Sequence, residues 1–223
     1  MYDGPDLAAL THEAMRLFSG SNGLDPTAFP SFLRFENDLV EFARSVLHGD
    51  EEVRGSATSG GTESIMLACK AARGAMRAGG VEGRLNMVLP ITAHAAFHKA
   101  ASYLDLDLRL TEVDESFRAI PEAIEAAVDH HTALVVASAP SYAHGVVDPI
   151  PAIAEVATRT GRWLHVDACV GGMVLPFVDG APPFDFAVPA VDSISMDLHK
   201  YGYTPKGTSL VLHRNAERRS HQY

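Results

Sequence analysis

The chain has 223 residues and a formal charge of −10, from 28 acidic and 18 basic side chains. With 47% hydrophobic and 21% charged residues it can bury a substantial core, which excludes a disordered chain. The acidic balance excludes nucleic acid and anionic lipid as partners held by long-range attraction, and no apolar run approaches the roughly 20 residues of a membrane span.

Asp3 and Asp6 stand where a secretion signal would be basic and then apolar. Cys69 and Cys169 are far apart and in no metal-ligand spacing, so the expectation is a reduced, cytoplasmic protein without a structural metal.

In chain order, Leu7, Leu10, Ala14, Leu17 and Phe18 fall at helical spacing, and a connector rich in Gly, Asn and Pro follows from Ser19 to Pro30. This lead-in reads as an arm. Phe32, Phe35, Leu39, Phe42, Val46 and Leu47 mark a second amphipathic helix ending near Gly49, with its phenylalanines expected in the core.

The stretch SATSGGTES, Ser56 to Ser64, is small and rich in hydroxyls, after which Ile65, Ala68, Cys69, Ala72 and Met76 line one face of a helix. Gly60 and Gly61 let a ligand approach the backbone, while unpaired helix N–H groups and the Thr62 hydroxyl can surround a phosphate. An ordinary helix cap is the alternative.

Strand and helix then alternate: Asn86 to Leu89, His94 to Leu104, Asp107 to Val113, Pro121 to Val128, Ala133 to Ser138, Ile150 to Thr160, and Trp163 to Val166. The pattern predicts an α/β fold in three layers, a mainly parallel sheet with helices on both faces. We expect residues 1–40 to form an arm and connector, and residues 41–223 the large domain.

Three strand ends carry chemistry. Ala133 to Ala137 leads into Ser138, Tyr142 and His144; Trp163 to Val166 leads into Asp167, Ala168 and Cys169; and Val191 to Met196 delivers His199, Lys200 and Tyr201. Right-handed crossovers bring such ends to one edge of the sheet. A lysine there, with a histidine beside it, suits an amine whose pKa is lowered by burial and neighbouring positive charge so that it can attack a carbonyl. A solvated loop lysine is the plainer reading of the His-Lys pair alone.

A lysine for a Schiff base, a carboxylate for a pyridine nitrogen and a phosphate-cradling helix start are together what pyridoxal phosphate requires. The sequence holds no dinucleotide fingerprint, P-loop or HExxH motif to suggest a nucleotide or metal instead.

SGGTES, TAHAAFHKAA, HVDACVGG and DLHKYGYTPKG, in this order, resemble the pyridoxal-phosphate fold type I enzymes of the group II decarboxylase branch, most closely the sphingosine-1-phosphate lyases. The resemblance spans about residues 20 to 220. It implies Lys200 as the Schiff-base lysine, Asp167 as the partner of the pyridine nitrogen and His94 as the imidazole stacked on the ring. It implies Gly60, Gly61, Thr62 and His199 around the phosphate, Ser138 near the ring hydroxyl and Cys169 beneath the ring. Tyr142 would act as acid or base, and Asn22 and Lys206 would face the substrate. His94 and His98 could equally be a pair on a helix surface, Cys169 a small core residue, and Tyr142 a loop aromatic covering the sheet edge.

The resemblance further implies a homodimer with its site at the interface, a small-molecule amine or amino-acid substrate, and a C-terminal small domain, which the sequence up to Tyr223 is expected to lack. The lyases carry N-x-L-H-P before the large domain, where this chain reads Asn22, Gly23, Leu24, Asp25, Pro26, and an aspartate there would repel a phosphorylated substrate. Three functions follow: retro-aldol cleavage of an amine substrate, loss of CO2 from an amino acid, or a non-catalytic fragment that binds or dimerises.

Overall fold

The strands and helices expected from Asn86 onward form, with ends shifted by no more than a few residues. The computed structural model describes residues 4–21 and 25–223. Helices α1 (Gly4–Phe18) and α2 (Pro30–Val46) come first, then strand β1 (Arg54–Thr58) and helix α3 (Gly61–Ala78). Five strands and three helices alternate next: β2 (Asn86–Pro90), α4 (Ala96–Leu104), β3 (Asp107–Thr111), α5 (Pro121–Ala127), β4 (Thr132–Ser138), α6 (Ile150–Thr160), β5 (Trp163–Asp167) and, after two short 3-10 turns, β6 (Val191–Asp197). Strand β7 (Ser209–His213) and helix α7 (Ala216–Ser220) complete the chain.

The strands form one sheet in the order β1-β7-β6-β5-β4-β2-β3, and the neighbours from β6 through β3 pair in parallel. Strand β7 pairs antiparallel with both β6 and β1. The residues of β2, β4 and β5 are all buried, as expected where helices cover both faces. Alternate side chains divide between two cores. Val135, Ala137, Leu164, Val166, Ile194 and Met196 meet Ile124 of α5 and Ile153 of α6 on one face, and Leu134 and Val136 meet Ile65 of α3 and Phe97 of α4 on the other.

The expected phenylalanine core on α2 is not formed. Phe32, Phe35 and Phe42 are exposed, and the buried residues of this region are Ala43 and Leu47, with Leu39 and Val40 packed beside them. Helix α2 packs against β1 and β7, with Glu36 accepting from the Ala57 amide, so it buries the stripe facing that edge and leaves the phenylalanine stripe outside. Helix α1 has no buried residue. Strands β1 and β7 and helix α7, of five residues each, were not anticipated; β1 (RGSAT) and α7 (AERRS) lack an apolar run to mark them.

Candidate active site

Strand register sets the site. Ser138 at the end of β4 stands opposite Asp167 at the end of β5, Asp167 opposite Ser195 of β6, and Asp197 at the end of β6 opposite Ser209 of β7. At the same edge Thr58, also opposite Ser209, leads through Ser59 and Gly60 into α3. A cavity of about 390 Å³ opens there, walled by Gly60, Gly61, Thr62, His94, Asp167, Cys169, Asp197, His199 and Lys200 among others.

The first turn of α3 is held from inside. Glu63 reaches back to accept hydrogen bonds from the Ser59 amide and hydroxyl at 2.6 and 2.7 Å, and the Thr58 and Ser64 hydroxyls lie 2.6 Å apart. No side chain caps the helix at Gly60, which leaves its positive end to the cavity. Gly61 permits a close fit: a Cβ there would lie 2.7 Å from Cys169 Sγ and 2.9 Å from both Asp197 carboxylate oxygens.

Asp167 is nearly buried and accepts at Oδ1 from the Cys169 amide and the Ser195 hydroxyl, both at 3.1 Å. Burial, with Asp167 and Asp197 nearby, pushes the Cys169 thiol well above its ordinary value, so it stays neutral. His199 is held at Nδ1 by the Thr208 carbonyl and the Ser209 hydroxyl, at 3.1 and 3.2 Å.

Lys200 differs from expectation. Its amine lies 2.9 Å from Asp197 Oδ2. Burial works to lower its pKa, but the hydrogen bond and charge of Asp197, with the charge of Asp167, outweigh this and raise it. The neighbour that decides the charge is thus a carboxylate three residues back, within the quoted motif but unassigned from sequence.

His94 turns into the cavity just before α4, its Nδ1 accepting from the Ala96 amide at 3.1 Å, while His98 stays exposed on the helix. Tyr142 is 68% exposed and meets the His94 ring edge-on, centroids 5.2 Å apart. Tyr142, His94, Lys200 and Lys206 line an outer vestibule continuous with the cavity.

Ser138 is not in the cavity wall. It is buried, its amide donates to Asp148 at 2.7 Å, and its hydroxyl has no partner. Asn22 lies outside the described residues. Asp25 is exposed and accepts at Oδ1 from the Thr27 amide and hydroxyl, at 2.8 and 2.7 Å; it caps its own turn and does not line the cavity.

Sequence reasoning missed Asp197, Ser195 and His165. The signal for Asp197 and Ser195 was the polar alternation Ser193, Ser195, Asp197 along a strand whose opposite face carries Ile194 and Met196. Away from the cavity, Asp129, His130 and His131 bring potential metal ligand atoms within 4.8 Å of one another. Asp129 is already bonded to Arg109, Asn86 and Thr132, which leaves a cation little to bind.

An amine, a buried carboxylate, an uncapped helix start and two imidazoles in one cavity fit the reactive carbon, ring nitrogen, phosphate and ring faces of pyridoxal phosphate. The chain is 42% identical over 224 residues to the sphingosine-1-phosphate lyase of Arabidopsis thaliana, an alignment covering 96% of this chain and 41% of that protein. A probable L-tyrosine/L-aspartate decarboxylase of Methanospirillum hungatei is 38% identical over 204 residues, covering 89% of this chain and 53% of its own. In structure the protein resembles the sphingosine-1-phosphate lyase of Burkholderia pseudomallei, with a TM-score of 0.93 and 38% identity over 98% of this chain and 53% of that one. The chain therefore spans about half or less of the length of these relatives. Residues 1–222 match the pyridoxal-dependent decarboxylase conserved domain. The chain belongs to the pyridoxal-dependent decarboxylase family, and its cofactor is pyridoxal 5'-phosphate.

Proposed function

We propose that the protein is a carbon–carbon lyase acting on a small amine, cleaving a 2-amino-3-hydroxy substrate to an aldehyde as its lyase relatives' name suggests. The observation that carries the reading is the convergence of Lys200, Asp167 and the Gly60–Thr62 turn on one cavity. Bound pyridoxal phosphate supplies an electron sink for the bond broken beside the amine.

Lys200 would provide the amine that attaches the cofactor, and Asp167 would hold a proton at the ring nitrogen. Gly60, Gly61, Thr62 and His199 would hold the phosphate end, with His94 and Cys169 against the ring; Ser138 would lie near the ring hydroxyl, set back behind the cavity wall. Tyr142, in the vestibule, is the base at the substrate hydroxyl. Lys206 faces the substrate beside it, and Asn22 is the further substrate contact.

Loss of CO2 from an amino acid is the second reading, favoured by the likeness to the archaeal decarboxylase and by the Lys206 cation, which suits a carboxylate. Product analysis separates the two: an aldehyde supports cleavage, CO2 supports decarboxylation. Borohydride reduction of the cofactor-loaded protein, followed by peptide mapping, should place the cofactor on Lys200; a label on another lysine rejects the assignment.

The division into an arm (1–40) and a cofactor-binding unit (41–223) belongs to the same reading. So does a homodimer, supported by the exposed apolar residues of α1 and α2, and a cytoplasmic setting, supported by two free, buried cysteines. Among the described residues no helix is long and apolar enough to cross a membrane.

A further inference from the structure

Behind Asp167 runs a line of buried polar groups that the proposed chemistry does not use. Trp163 Nε1 lies 2.8 Å from Ser193 Oγ, Ser193 Oγ 2.8 Å from His165 Nδ1, His165 Nε2 3.3 Å from Ser195 Oγ, and Ser195 Oγ 3.1 Å from Asp167 Oδ1. Register makes the line: His165 pairs with Ser193 and Asp167 with Ser195, and period-2 alternation turns all five side chains to the same face of the sheet. Phe97 of α4 meets the His165 ring edge-on from above, centroids 5.9 Å apart.

The two ends set the direction of every hydrogen bond. An indole N–H only donates, and an ionised carboxylate only accepts. Ser193 therefore accepts from Trp163 and donates to His165 Nδ1. The histidine carries its single proton on Nε2 and donates it to Ser195, which donates in turn to Asp167. Complete burial keeps His165 neutral, its pKa pushed down to about 3, as an acceptor at Nδ1 requires.

We propose that His165 is a positioning residue, and that the line Trp163–Ser193–His165–Ser195 holds Asp167 as an ionised acceptor with Oδ2 left for the cavity. Both bonds to the Asp167 carboxylate described above fall on Oδ1, consistent with that division of labour. The inference rests on the reading that Asp167 meets the cofactor's ring nitrogen.

The test compares the affinities of two cofactors, followed by their visible absorption: pyridoxal phosphate, and an analogue with C–H in place of the ring nitrogen. Wild type should prefer pyridoxal phosphate. Ser195→Ala, which removes one hydroxyl and little volume, should weaken pyridoxal phosphate by roughly tenfold, the usual effect of losing a hydrogen bond to a charged group, and leave the analogue nearly unaffected. His165→Gln, which restores a donor to Ser195, should recover part of the preference, and His165→Leu none of it. Equal weakening of both cofactors by Ser195→Ala, or no weakening in the folded variant, overturns the proposal. Asp167→Asn is the control: if wild type and this variant both bind the two cofactors alike, the assignment of Asp167 to the ring nitrogen fails first and the inference falls with it.

Discussion

The Lys200 amine is paired with the Asp197 carboxylate at 2.9 Å, across one turn of chain at the end of β6. Asp197 is itself buried and fixed by the Ser209 hydroxyl, which donates to its Oδ1 at 2.6 Å. The pair favours the ammonium form of the lysine, so on the proposed role of Lys200 the attachment of a cofactor aldehyde would draw on the small fraction of free amine.

Asp197→Asn should therefore speed cofactor attachment near neutral pH. Lowering the lysine pKa by one unit raises the free-amine fraction roughly tenfold, and the rate should follow, with its pH dependence moved to lower pH. Stopped-flow absorbance after mixing the cofactor-free protein with pyridoxal phosphate measures it. An unchanged rate profile would show that the pair does not limit attachment.

Gly61 has no room for a side chain, because Cys169 Sγ and Asp197 crowd the position a Cβ would take. Gly61→Ala should destabilise the fold by about 1–3 kcal/mol through overpacking, and should weaken cofactor binding by displacing the start of α3. Gly20→Ala, where nothing lies within 4 Å, serves as the control and should leave the urea midpoint unchanged.

Two buried histidines make stability depend on pH. Burial, reinforced by His213, pushes His165 down to about 3, and burial with the Arg219 charge pushes His213 to about 4, from an ordinary value of 6.5. Between these limits the unfolded chain holds more protons than the folded one. Stability is thus complete above about pH 6.5 and is lost as the pH falls toward 4 and then 3, by up to about 1.4 kcal/mol per pH unit for each group. The urea midpoint should fall from pH 7 to pH 5, and His213→Gln should reduce that slope by about half. A variant with the full slope would exclude His213 as a source.

Phe35 is 54% exposed, with Phe32 and Phe42 on the same helix and Leu17 and Phe18 on α1 also outside. Apolar surface of this kind favours association. Sedimentation should find the protein dimeric and the double variant Phe35→Gln, Phe42→Gln shifted toward monomer. A monomeric wild type would remove the homodimer from the proposed function.

What the sequence by itself determined was the alternation of strands and helices from Asn86 onward and the placing of Asp167 and Lys200 at strand ends. Apolar period, Gly and Pro boundaries and polar strand termini are carried by residues adjacent in the chain, so they are legible without the fold. His94 was identified but could not be separated from His98 until the helix began at Ala96, leaving one ring in the cavity and the other outside.

Tertiary structure alone decided the electrostatics and the depth of the site. Whether Lys200 faces His199 or Asp197 depends on how the chain turns after β6, and whether Ser195 and His165 lie behind Asp167 depends on the register of β5 against β6. Strand register is set by packing over the whole sheet. The same holds for Phe32, Phe35 and Phe42: periodicity named an apolar stripe, but which stripe of α2 is covered depends on where β1 and β7 lie, and these come from opposite ends of the sequence.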